Sequence, residues 1–355
     1  MSYDGFFIRD YVGETIDGAK GTNWTNSPDI ICPGPPGLPD PSVILTAANY
    51  NAGLPSVSNQ TPKTNNFVYV RGVNPQTVEQ TSTIYLYYVD TSIVLWPQNW
   101  KQDTITYNGQ TRNWVQLTAP PVTNNQGIAG TISPFGWTPP NQGTHYCLTA
   151  WANNGPDQLT PPDLGSIGSV PDMASFILSH PNIGWKNTTE VDATVPTIQG
   201  TAPITGPSTG GLLSIGLQCQ NLPTDGFIEF YVPGPDAENT ITFPKAKILS
   251  SNYGPSFQVY YPAMTGGFQT QMAWKYYQGA TPAPAGSNVV PFIATWGSYV
   301  GFIDEVRKIA PGHLIDVHHY GSPLQFLANR ESALRTAPPP VTIMIIGSIP
   351  FKLVR

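Results

Sequence analysis

Hydrophobic and polar positions alternate with a period of two from Phe67 to Val89, FVYVRGVNPQTVEQTSTIYLYYV. Val68 and Val70 alternate with Tyr69 and Arg71. Beyond a polar loop, Ile84, Leu86 and Tyr88 alternate with Tyr85, Tyr87 and Val89. Alternation in β-branched and aromatic residues marks strands, because successive side chains leave opposite faces of the pleat. Asn74-Pro75 ends the first of them. Proline lacks a ladder donor and holds the residue before it away from helical angles. The pattern returns as LQCQNLPTDGFIEFYV, Leu217 to Val232. There Asn221 answers Asn74, and Ile228, Phe230 and Tyr231 answer Ile84, Leu86 and Tyr87. The repetition predicts a duplicated β-sandwich module.

Elsewhere the pattern predicts many short strands and few helices. Residues 1–41 read as an irregular arm over the first module, with Cys32–Pro39 (CPGPPGLP) turn-rich and polyproline-like. The first sandwich, 42–192, takes strands at Val43–Ala47, Asn66–Val73, Ser82–Val89, Ile93–Trp96, Trp114–Leu117, His145–Ala152, Ser175–Leu178 and Ile183–Val191. The run Pro120–Gln142 reads as a long loop. Residues 193–210, ATVPTIQGTAPITGPSTG, are uncharged and repeat Pro and Gly, the composition of a linker.

A second sandwich, 211–355, takes strands at Leu212–Gln220, Gly226–Val232, Thr240–Phe243, Ala246–Ser250, Phe257–Tyr261, Phe268–Lys275 and Val290–Thr295. Helices are expected near 302–310 (FIDEVRKIA) and near 323–336 (PLQFLANRESALRT), the latter between a Ser322 cap and a Pro338 stop. A strand lies between them at His313–Tyr320. The tail forms an apolar strand pair, Val341–Ile346 and Phe351–Val354, favoured to close the second sandwich of its own chain. The expected fold class is all-β: tandem immunoglobulin-like antiparallel β-sandwiches, the second with a small helical insertion near its C-terminus.

Composition narrows the functional classes. Charged residues are 11% of the 355, against ~25% in ordinary soluble domains. With 38 Pro and 34 Gly, this describes a neutral, amide- and hydroxyl-rich surface on many turns. That surface suits an extracellular or particle-associated module, with the cytoplasm as the other location. The net charge of -6, without a basic stripe, argues against nucleic acid as a partner. No run is long and apolar enough to span a bilayer, and MSYDGFFIRD lacks the form of a Sec-type signal. Export would then use another route. Three cysteines, Cys32, Cys147 and Cys219, allow at most one disulfide. Asn23-Trp24-Thr25, Asn59-Gln60-Thr61 and Asn187-Thr188-Thr189 fit the glycosylation acceptor triplet, which chance supplies readily in a chain this rich in Asn and Thr.

Candidate chemistry is sparse. Gly206-Pro207-Ser208-Thr209-Gly210 fits G-x-S-x-G, but a nucleophile elbow needs a strand before the serine and a helix after it. Here a Pro-rich segment precedes it and a strand follows. In His313-Leu-Ile-Asp316-Val-His318-His319, a strand would place Asp316 and His318 on one face. Two ligands are too few for a closed metal site, so pairing across a sheet face is the plainer reading. No cofactor motif is present. Nine tryptophans are the remaining signal: Trp96, Trp100, Trp114 and Trp137 fall in or beside loops, where they could bind a sugar ring or anchor a protein partner. Core packing accounts for at least half of the aromatics.

The run Ser27-Pro28-Asp29-Ile30, then NFVYVRGVN, TIYLYYV, LWPQNW, HYCLTA and NIGWKNTTEVD, resembles bacterial CARDB-like modules. These are immunoglobulin-fold domains used as adhesion and spacer units. The resemblance covers about residues 27–192, and more faintly 211–232. It departs from the family pattern at Pro75, where a glycine usually follows the asparagine. It implies binding or scaffolding and carries over no catalytic residue. The leading expectation is a non-enzymatic protein that binds a protein partner or self-assembles, as an adhesion-like module or a component of a surface, secreted or injection-particle assembly. The alternative is a glycan-binding module, or a carbohydrate-active enzyme with an ancillary sandwich. An enzyme would draw carboxylates such as Asp304, Glu305 or Asp316 together in a cleft.

Overall fold

The structure, a computed structural model, describes residues 4–16, 24–56, 64–140, 146–154, 167–187, 189–237, 240–248, 257–295, 301–309, 313–319 and 340–355. Its strands form four sheets, and the fold is all-β with antiparallel pairing dominant. The first sheet joins Ile30–Gly34, Asn66–Val73, Phe135–Trp137, Ile105–Tyr107 and Gln110–Thr111 in that order, with Ile128–Gly130 added beside Asn66–Val73. The second runs Ile183–Lys186, Tyr146–Asn154, Gln80–Asp90, Trp114–Ala119. Their facing side chains make one core, with Val68, Val70, Phe135 and Trp137 against Ile84, Leu86, Tyr88 and Leu148.

The fourth sheet runs Thr197–Thr205, Gln269–Tyr277, Phe227–Val232, Ile241–Lys247. It packs on the third, which runs Thr189–Asp192, Phe351–Val354, Asn288–Thr295, Gly211–Gln220, Phe257–Met264, Leu314–His319, Pro340–Ser348. Pro340–Ser348 also pairs with Asn288–Thr295, so five strands of the third sheet close into a ring. The second sandwich is therefore barrel-like on one side, which the strand pattern alone does not predict.

The two segments that opened the sequence reading take equivalent places. Asn66–Val73 and Gln80–Asp90 lie in facing sheets, and so do Gly211–Gln220 and Phe227–Val232. The two asparagines differ. Asn74 is buried, and its amide donates to the carbonyls of Val78, Ala119 and Pro120. Asn221 is exposed at φ 57°, a left-handed turn position.

Several expectations need correction. The arm is not laid over the first module. Phe6 and Ile8 are fully buried, Phe7 bridges to Val73, and Cys32 sits inside the first strand of the first sheet. Val43–Ala47 is not a strand: Pro41–Leu45 is a 3-10 turn capped by Asp40, running into the helix Ala47–Ala52. Ser175–Leu178 lies in the helix Val170–Ser179, whose capping box joins Ser169 and Asp172. Ile183–Val191 divides into Ile183–Lys186 and Thr189–Asp192, which belong to different sheets. The predicted strands near 240–250 are one strand, Ile241–Lys247. The helix expected at 302–310 is present as Phe302–Ile309, whereas 323–336, Ser322 and Pro338 lie outside the described residues.

The segment 193–210 is not a linker. Thr197–Thr205 pairs along its whole length with Gln269–Tyr277. Proline and glycine are tolerated because this is an edge strand, and Gly200 lets the Trp274 indole lie against the backbone. Ile93–Trp96 is not a strand but a buried irregular segment that joins the two halves. The Ile93 N–H donates to Pro203 O at 2.8 Å, and Trp96 Nε1 donates to Thr205 O at 2.8 Å. Asn187 Nδ2 donates to Ser92 O and Ser348 O, and Trp24 stacks on His313 at 4.6 Å. One buried cluster accordingly runs from Tyr85, Tyr87 and Trp185 through to Phe230 and Leu353. The same bonds bury Asn187, so its amide is unavailable as a glycan acceptor in the folded chain.

Candidate ligand-binding face

The residues singled out from sequence do not converge. Trp96 and Trp137 are fully buried, Trp137 packing on Tyr88 and Tyr146. Trp100 is half-buried against Trp185, with Nε1 donating to Leu95 O. Trp114 is half-buried under the Arg112 guanidinium at 4.5 Å. These four form core and junction rather than a shared surface. Asp316 accepts from Thr342 Oγ1 at 2.6 Å across the neighbouring strand, the cross-sheet pairing expected of it. The His318 side chain lies outside the described residues. Among the described residues no three metal-capable side chains cluster. Asp304 pairs with Arg307 one helical turn away. Ser208 of the G-x-S-x-G run sits in a turn between two strands, Thr197–Thr205 and Gly211–Gln220, so no elbow exists. All three cysteines are buried thiols.

A different surface carries open chemistry. Gln269–Tyr277 alternates strictly: Met272, Trp274 and Tyr276 point into the core, and Ala273, Lys275 and Tyr277 point out. Its neighbours keep the register, so outward residues line up in rows. One row is Thr201, Ala273, Tyr231 and Thr242; the next is Gln199, Lys275 and Glu229; the third is Thr197, Tyr277, Phe227 and Lys247. The short Ala273 and Thr201 lie among longer side chains, and the face is concave there. The depression has a volume of about 550 Å³ and is open to solvent. Phe227 is 38% exposed and Tyr231 44% exposed, among the few large apolar side chains of the described residues left in water.

The charges on this face are partly paired. Lys275 Nζ lies 3.3 Å from Glu229 Oε1, which also accepts from the Tyr277 hydroxyl at 2.8 Å. That bond to a carboxylate pushes the Tyr277 hydroxyl pKa above its ordinary value. Lys245 Nζ sits 3.8 Å above the Tyr277 ring and 5.3 Å from the Phe227 ring. A cation over an aromatic face is held there by the ring quadrupole. Sequence reading missed this surface because it matched Tyr231 to Tyr87 only as part of the repeat and sought binding aromatics among the tryptophans Trp96, Trp100, Trp114 and Trp137. The signal was the alternation in FIEFYV, which sends Phe227, Glu229 and Tyr231 to the side opposite Ile228, Phe230 and Val232.

A second groove, about 660 Å³, runs between the sandwiches and is lined by Asp90, Trp100, Lys101, Thr205, Ser208 and Gln269. Within it Lys101 and Asp90 pair at 2.5 Å.

No family model matches the chain, and no curated protein matches it. Similar solved structures share little sequence with it. Red sea bream transglutaminase is 8% identical over 67% of this chain and 28% of that one, with a TM-score of 0.18, so this chain spans little more than a quarter of it. The collagen adhesin of S. aureus is 8% identical over 66% of this chain and 82% of that one, with a TM-score of 0.18. A structure described as manganese lipoxygenase of Gaeumannomyces graminis with partial zonadhesin of Komagataella pastoris is 10% identical over 66% and 84%, also with a TM-score of 0.18.

Proposed function

We propose that this chain is a non-enzymatic binding module of an adhesion-like or structural assembly, taking its ligand on the outer face of the fourth sheet. The observation that carries this is the concave, solvent-open face where Phe227, Tyr231 and Tyr277 stand with Lys245, Lys275 and Glu229. Its volume lies within the range of ordinary ligand sites, about 300–1,000 Å³. Exposed aromatics give large contact area at small entropy cost. Hydrolysis of a glycosidic bond needs two carboxylates across a cleft. The residues lining this one include a single carboxylate, Glu229, already held by Lys275 and Tyr277. The likeness of residues 27–192 to CARDB-like adhesion and spacer modules supports the same reading.

The test is an array of immobilised polysaccharides and structural proteins probed with the full chain and with a Phe227→Ala/Tyr231→Ala variant. Binding to at least one ligand class is expected, lost in the variant while its melting temperature is unchanged. Ligand turnover during the incubation would overturn the reading, as would a variant that binds as well as the parent.

A further inference from the structure

We infer that the ligand of this face is an anionic polysaccharide, one whose repeating sugars carry carboxylate or sulfate groups. The inference rests on the binding role proposed above and adds the chemical class. It starts from charge. Lys245, Lys247 and Lys275 project from this face, and Glu229 is the acid among them. Glu229 is occupied by Lys275 and the Tyr277 hydroxyl. Among the described residues, neither Lys245 nor Lys247 has a carboxylate within ion-pair distance, and both are exposed. Among the described residues the other nearby acids, Asp225 and Asp236, lie in the loops before and after Phe227–Val232, and Asp225 already accepts from the Thr281 N–H at 2.8 Å. The face is thus locally positive in a chain of net charge -6. Such a local excess attracts an anion.

The aromatics add the second element. Phe227 and Tyr231 stand four residues apart on one strand and one face, about 13 Å along an ideal strand. Lys275 and Glu229 lie between them in the adjoining row. Two ring platforms at that spacing suit non-adjacent sugars along an extended chain better than one compact ligand. Gln199, Thr201 and Thr242 border the depression with amide and hydroxyl groups able to donate to and accept from sugar hydroxyls. Single-stranded nucleic acid also combines negative charge with stacking. It is disfavoured because every cation on this face is a lysine, without the guanidinium planes that hold bases and phosphates.

Affinity gel electrophoresis of the full chain tests this, with polygalacturonate, heparin, neutral dextran or a single-stranded oligonucleotide as the probe. Retardation is expected with polygalacturonate or heparin, and little with dextran. The binding should weaken with added salt and fall about tenfold in a Lys245→Gln/Lys247→Gln variant, the scale of two solvent-screened charge contacts. Preference for polygalacturonate assigns a carboxylated polymer, and preference for heparin a sulfated one. Equal binding to dextran, or a lysine variant that binds as the parent does, overturns the inference but leaves the binding role standing. Tighter binding to the oligonucleotide overturns it in favour of nucleic acid. Failure to bind any probe, together with an empty ligand array, overturns both.

Discussion

At the scale of single residues, the molecule hides several charges that a low-charge chain could have omitted. Asp29 is fully buried and accepts from Arg9 Nε at 3.0 Å, Arg9 Nη2 at 2.7 Å and Arg71 Nε at 2.9 Å. Arg9 lies 3.3 Å over the Tyr50 ring, and Arg71 donates to the carbonyls of Ile44 and Asn49. The cluster ties the amino-terminal segment to the first sheet and to the helix Ala47–Ala52. Asp29→Ala leaves two buried cations without their anion, and should cost about 3–5 kcal/mol in a urea melt. A loss under 1 kcal/mol would mean the arginines find other partners. Lys186 behaves differently. Burial pushes its pKa down to about 8, and among the described residues its ammonium reaches Asn26 Oδ1 and Ser27 O, both at 3.5 Å. Between about pH 8 and the ordinary lysine value the unfolded chain binds a proton that the folded chain does not. Stability should therefore rise with pH across that window, and the penalty should be fully present below pH 8. Lys186→Met, which keeps the stem, should be more stable at pH 7 and should lack that rise. Melts at pH 7 and pH 10 check it, and parallel curves for the two proteins would contradict it.

At the scale of elements, burial on both faces explains much of the sequence pattern. Within Gln80–Asp90 the run Ile84–Val89 is apolar at every position because the second sheet is covered twice. Ile84, Leu86 and Tyr88 meet the first sheet, while Tyr85, Tyr87 and Val89 meet Trp151, Trp185 and the helix Val170–Ser179. The fourth sheet is covered once, and Thr197–Thr205, Phe227–Val232 and Gln269–Tyr277 alternate along their length. Its edge Ile241–Lys247 carries Pro244, Lys245 and Lys247, residues that discourage strand addition along an open edge. Its other edge depends on Gly200: a Cβ there would come 2.7 Å from the Trp274 ring, itself 1% exposed. Valine would improve strand propensity by under ~1 kcal/mol, but forcing the indole aside costs about 1–3 kcal/mol. Gly200→Val should therefore destabilise the chain and shift Trp274 fluorescence. A variant with unchanged melting and emission would show that the indole has room.

At the scale of the whole molecule, the two sandwiches share buried residues. Thr189–Asp192 continues the chain of the first half but pairs in parallel with Phe351–Val354 at the end of the second. Gly347 packs against Ile93, and Thr25 Oγ1 lies 3.0 Å from Ser348 Oγ. A chain held this way should unfold in one transition. Limited proteolysis should leave no pair of fragments split within 193–210, because nine residues there are in register with Gln269–Tyr277. Two calorimetric transitions, or clean cleavage in that segment, would count against a shared core. The tail has its home within the chain: Pro340–Ser348 pairs with Asn288–Thr295 and with Leu314–His319. Deletion from Pro340 onward should open the strand ring and yield insoluble protein, and a soluble truncation with the parent's melting temperature would contradict that placement.

The sequence by itself determined the class of fold and most strand cores. Period-two alternation is a local property, and Asn66–Val73, Gln80–Asp90, Tyr146–Asn154 and Gly211–Gln220 are legible from their own residues. It misread Ile93–Trp96 and Ser175–Leu178, since a short apolar run has the same composition in a strand, a helix or a buried connection. It misread 193–210 because proline and glycine that mark a linker in isolation are compatible with an edge strand once a partner supplies the ladder. The candidate face was half-legible. The alternation around Glu229 and Lys275 was visible, but which side of each strand met water was not. That was decided by packing, where Trp274 and Phe230 took the core and left Tyr231, Phe227 and Lys245 outside. The tryptophans set aside for binding went the other way for the same reason: burying a large ring stabilises more than exposing it, wherever tertiary structure offers the space.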